Sequence, residues 1–109
     1  MVEKSLDFAT MIVLFYETFS KSRKDTTIAK QLLRSATSIG ANINEAVFGN
    51  SKADFISKLQ IALKECSESE YWLELLIESG YYADKVVLEH CTELKRLLIA
   101  SLNTAKSKG

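Results

Sequence analysis

Residues 51–80 read SKADFISKLQIALKECSESEYWLELLIESG. Within this stretch Phe55, Leu59, Ala62, Cys66, Leu73 and Leu76, with Ile77, return to one side of a helix at the 3.6-residue period, and no strand-like alternation is sustained. Ser51 followed by Asp54 has the form of an N-terminal cap with a carboxylate in the first turn, where the helix dipole favours negative charge. Gly80 closes the run. The spacing therefore predicts a helix over 52–79, about 28 residues and on the order of 42 Å long. An element of that length needs partners of similar length to cover its apolar side.

Upstream, Ile28, Leu32, Ala36, Ile39, Ile43 and Val47 repeat the period and predict a helix over 26–48, ending at Gly49-Asn50, where the left-handed conformation can terminate a helix. Before the polar break at residues 21–26, Phe8, Met11, Ile12, Phe15 and Phe19 predict a shorter helix over about 5–20, the outer member of the set. Downstream of the turn at 81–84, Val87, Cys91, Leu94, Leu98 and Leu102 predict a helix over 84–106, with Lys106 and Lys108 near a C-terminus where cations complement the dipole. The chain contains no proline. Four amphipathic helices joined by short connections pack antiparallel to their neighbours, so the expected fold is all-α, an up-down-up-down antiparallel four-helix bundle filling one domain over 1–109.

Composition narrows the function. The chain has 109 residues, 47% of them apolar and 26% charged, which is the balance of a folded globular domain with one core. Fourteen basic residues match fourteen acidic ones, so there is no global charge of the kind a dedicated nucleic-acid binder carries. The longest apolar run, Met11 to Tyr16, is far short of a membrane span, and the N-terminus lacks the features of a secretory signal, so no membrane association is expected and the cytoplasm is the expected compartment. In that compartment Cys66 and Cys91 are expected to be free thiols serving as buried small hydrophobes.

Catalytic chemistry has little to stand on. His90 is the only histidine, and the residue three before it is Val87, so the paired Glu-x-x-His motifs of bundle di-iron sites cannot be built. No CxxC, phosphate loop, HExxH or GxSxG is present. The expectation is a non-enzymatic protein without cofactor or metal.

Arg34, Ser38, Asn42 and Glu45 form one polar line along the second helix, with Ser35 beside its apolar face. As a structural feature the line supports helix packing through hydrogen bonds and ion pairs; as a functional one it is a partner-binding edge. The stretch that holds it, QLLRSATSIGANINE at 31–45, followed by SKADFISKLQIA at 51–62 and CSESEYW at 66–72, resembles the bacterial four-helix-bundle proteins known as 23S rRNA intervening-sequence or S23 proteins. That family includes the accessory variability determinant of diversity-generating retroelements. The resemblance implies a cyclic homo-oligomer, a pentamer, and for some members RNA, DNA or a reverse transcriptase as partner. Ala46 stands where the family often has glycine, and this chain is neutral where the retroelement member is basic.

Two surfaces follow from the helical pattern. Ile56, Ile61, Trp72 and Leu75 lie off the main stripe of the third helix, as do Val86, Leu97 and Ile99 on the fourth, and they are the candidate subunit interface. Antiparallel topology gathers Lys4, Lys52, Lys58, Lys106 and Lys108 at one end, a weakly positive rim and candidate nucleic-acid contact. At the other end, Glu70, Glu74 and Glu78 form an acidic row that Lys21, Arg23 and Lys24 are placed to offset.

Overall fold

A computed structural model of the chain describes residues 1–82 and 84–107. They form four helices, α1 (Val2–Ser22), α2 (Thr27–Val47), α3 (Lys52–Glu78) and α4 (Lys85–Ser107), in a bundle 49 × 21 × 20 Å. Partners across each pair run in opposite directions: Ser35 meets Ser69 between α2 and α3, Cys66 meets Cys91 between α3 and α4, and Met1 meets Ser101 between α1 and α4. The up-down-up-down arrangement is thus present, with α2 against α3 as its most extensive contact and α1 against α4 as its least.

The core follows the period. Phe8, Ile12, Leu32, Ile39, Ile43, Leu59, Leu73 and Leu98 are fully enclosed, layered with Ala36, Ala62 and Cys66. In α2 the stripe departs from expectation at its last step, where Ala46 is buried and Val47 is exposed. After Ile43 a step of three keeps the stripe inward; a step of four overshoots, because 3.6 residues make a turn. Ser35, expected at the edge of the apolar face, is fully buried, and its hydroxyl lies 2.8 Å from that of Ser69. Two small residues with a shared hydrogen bond let α2 and α3 approach closely without an unsatisfied group.

The helix ends divide the roles of the glycines. Ser51 Oγ accepts from the Asp54 amide at 3.0 Å, the predicted cap of α3. At the other end Gly80 has φ 80°, and the Tyr81 and Gly80 amides donate to the Leu76 and Ile77 carbonyls at 2.9 and 3.1 Å, the paired bonds of a left-handed helix stop. The expectation of that conformation at Gly49 is corrected: among the described residues only Gly80 has positive φ. Gly49 is instead a close approach, since a Cβ there would lie 2.5 Å from Asp54 Oδ2.

Helix α1 starts three residues earlier than its apolar period suggested, and contributes only Ser5, Phe8 and Ile12 to the buried set. Gly40 of α2 lets it lie close: a Cβ at 40 would sit 3.4 Å from Ser5 Oγ, in ordinary contact. Gly40→Ala is accordingly expected to raise stability by about 0.5–1 kcal/mol through helix propensity, whereas Gly40→Leu should lower it by wedging α1 off α2; thermal unfolding of the two variants measures both signs.

Candidate functional site

The polar line of α2 is occupied within the bundle. The Arg34 guanidinium bridges Glu65 at 3.3 Å and also binds Glu68, both on α3. Glu45 receives Lys58 of α3 at 2.9 Å. Between them Ser38 Oγ donates to the Arg34 carbonyl, and the Asn42 amide donates to the Ser38 carbonyl, so both side chains lie back on their own helix. The line is the outer seam of the α2–α3 contact, running above the buried Ser35–Ser69 pair. These ion pairs are partly exposed and worth at most about 1 kcal/mol each; what they fix is the register of the two helices.

The lysine rim is thinned by the same pairing. Lys58 is held by Glu45, and Lys4 binds Glu93 at 2.6 Å. Both lysines are raised above their ordinary pKa, chiefly by the hydrogen bond to their carboxylate and then by its charge. Lys52 and Lys106 are exposed near that end of the bundle, and Lys108 lies outside the described residues. The acidic row of α3 does not meet its expected partners. Glu70 turns toward α4, accepting from Lys95 at 3.0 Å and from Thr92 Oγ1 at 3.3 Å; Lys21 pairs with Glu17 on its own helix; Arg23 lies on aromatic rings. The row overlooks α4 as well as the bundle end, and the nearest cation on the adjacent helix wins.

The candidate interface residues on α3 and α4 differ in exposure within the single chain. Ile56 and Trp72 are partly buried against the core, with Trp72 edge-on to Tyr71, and Leu75 and Leu97 are half-buried. Ile56 and Trp72 thus flank the core stripe in the single chain while keeping part of their surface open. Ile61, Val86 and Ile99 remain exposed but are dispersed over two helices.

The contiguous exposed apolar surface lies elsewhere. On α1, Val2, Leu6, Ala9, Val13 and Tyr16 recur at steps of four, three, four and three, each beside the core stripe of that helix but turned about 100° from it. Leu6 is 66% exposed and Val13 46%. Across the α1–α2 contact, Val47 shares the α1-facing side of α2 with Gly40, two turns away, and Phe48 beyond it is 80% exposed. The antiparallel register brings Val47 and Phe48 to the end of the bundle where α1 begins with Val2. These apolar side chains are open to solvent in the single chain. Their sequence signal is the second heptad-spaced stripe, hidden because Val2 falls outside a helix begun at residue 5.

The model of the family 23S rRNA-intervening sequence protein matches residues 1–100. The chain belongs to that family. Among solved structures, a protein of unknown function from the S23 ribosomal protein family of Bacteroides thetaiotaomicron VPI-5482 is 48% identical, with a TM-score of 0.89 over 93% of this chain and 96% of that one. Comparison with curated proteins gives no match. In this member of the 23S rRNA-intervening sequence protein family, no described helix is long and apolar enough to cross a membrane. Among the described residues no cluster of three or more His, Cys, Asp or Glu side chains is placed to hold a metal ion.

Proposed function

We propose that this chain is a non-enzymatic assembly module that works as a cyclic homo-oligomer in the cytoplasm, using the α1–α2 apolar face as its subunit contact. The observation that carries the reading is the heptad-spaced stripe Val2, Leu6, Val13, with Val47 and Phe48 at the end where α1 begins, all exposed in the single chain. A stripe of period three and four is what a partner helix packs against, and burying it removes apolar area worth roughly 25 cal/mol per Å². A pentamer is the stoichiometry that the family resemblance implies. Cytoplasmic placement is supported by two buried free thiols, a state that a reducing compartment maintains.

Light scattering tests it. The wild type should give a multiple of 12.2 kDa. Leu6→Glu with Val13→Glu should reduce the mass to that of one chain while circular dichroism stays helical, because neither side chain is in the core. Ile61→Glu with Ile99→Glu, on the opposite helices, should leave the mass unchanged. A wild-type monomer, or a double α1 variant of unchanged mass, overturns the proposal.

The alternative is a nucleic-acid-binding accessory protein acting on RNA or DNA or with a reverse transcriptase, with Lys52, Lys58, Lys106 and Lys108 as contacts. The pairing of Lys58 with Glu45 weakens it for an isolated subunit. Symmetry that repeats Lys52 and Lys106 around one face would restore it, and the sign of such binding is a steep loss with salt and little sequence preference.

A further inference from the structure

Between α1 and α4, at the end that carries the α1–α2 and α3–α4 connections, lies a groove of about 630 Å³. Met11, Leu14 and Phe15 form its α1 wall, and Tyr82, Val86 and Val87 its other side. Phe15 and Tyr82 pack with ring centroids 4.3 Å apart at its floor. Burial and the nearby Asp84 charge raise the Tyr82 hydroxyl above its ordinary pKa, so it is a neutral donor. The groove is on the opposite side of α1 from the assembly face, since Leu14 and Thr18 point away from Val13 and Tyr16 around the helix.

One cation closes the mouth. The Arg23 guanidinium lies 4.7 Å from the Tyr81 ring centroid and 5.8 Å from that of Phe19, held by two aromatic faces. Three nearby acids have partners of their own: Glu17 pairs with Lys21, Asp25 accepts from the amide and hydroxyl of Thr27, and Asp84, which lines the groove, accepts from the Val86 amide. Among the described residues no carboxylate lies within 4.0 Å of the guanidinium. A rigid fork of donors, oriented by stacking and free of an internal anion, matches a carboxylate in geometry and charge. The volume is that of a small-molecule site, and its lining is mainly apolar and aromatic with a few polar groups at the rim.

We propose that the α1–α4 groove binds amphipathic carboxylates, the apolar body resting on Phe15, Tyr82 and Val86 and the carboxylate accepting from Arg23. The site is independent of the assembly face, and either can fail without the other.

The probes are 2-naphthoate and its uncharged analogue 2-naphthalenemethanol, titrated calorimetrically into the full chain with amide chemical shifts followed by NMR. The expected result is saturable binding with shifts at Leu14, Thr18 and Val86, and naphthoate about tenfold tighter than the alcohol. Arg23→Gln should bring the two probes within about twofold of each other, and Leu14→Ser should weaken both equally, the helical content of each variant being unchanged. Shifts confined to the α1–α2 face, an Arg23→Gln variant that still discriminates, or no saturable binding overturns the proposal. So does a groove filled by a second copy, which would show as loss of oligomer mass in Leu14→Glu with no naphthoate uptake by the wild type.

Discussion

Phe8→Ala is expected to lower the free energy of unfolding by about 3–5 kcal/mol, the range for deleting a fully buried phenylalanine that leaves a cavity behind. The position makes the upper part of that range the expected one. Helix α1 is held by few enclosed side chains, Phe8 and Ile12 being its only large ones, and its contact with α4 is the slightest in the bundle. Neighbouring helices cannot collapse into the void without giving up the Ser5–Gly40 approach that seats α1 on α2. The measurement is the urea midpoint at one fixed protein concentration, because assembly adds to apparent stability. Leu14→Ala, at a site 59% exposed, is the control and should change stability by less than about 0.5 kcal/mol. A loss below about 1 kcal/mol for Phe8→Ala would mean that α1 is not docked through this residue.

Cys66 and Cys91 are expected to react with an aryl disulfide reagent at least about a thousandfold more slowly in the native protein than in urea. Both are fully buried, with sulfurs 3.9 Å apart and each thiol within 3.5 Å of the other residue's carbonyl oxygen. The hydrogen bond with Cys66 and then burial hold the Cys91 thiol far above its ordinary range, so the reactive thiolate is scarce as well as inaccessible. Reaction then requires α3 and α4 to separate, and a domain stable by about 5 kcal/mol spends less than one part in a thousand of its time open. The rate of absorbance change on adding reagent, with and without urea, gives the ratio. Native thiols that titrate within seconds would show that the α3–α4 seam opens locally, without global unfolding.

What the sequence by itself determined is the bundle. The 3.6-residue period in Phe8, Leu32, Leu59 and Leu94, the proline-free helices and the Ser51 cap act through local sterics and one-sided burial, which need no knowledge of neighbours. The family resemblance was equally legible, carried by the contiguous stretch around Arg34 to Glu45. Tertiary structure decided which of several plausible roles each off-stripe residue takes. Trp72 and Ile56 had the spacing of surplus surface, yet both rest partly buried against the core. Glu70 chose Lys95 over the cations of the α1–α2 connection, because pairing depends on which helix flanks it and not on which end it occupies. The α1–α2 face and the Arg23 groove were both invisible for one reason. An apolar residue has the same periodicity whether a neighbour covers it or not: Leu6 and Val13 are open because no other helix of the chain packs on that side of α1, and Leu14 because the α1–α4 contact is the slightest in the bundle.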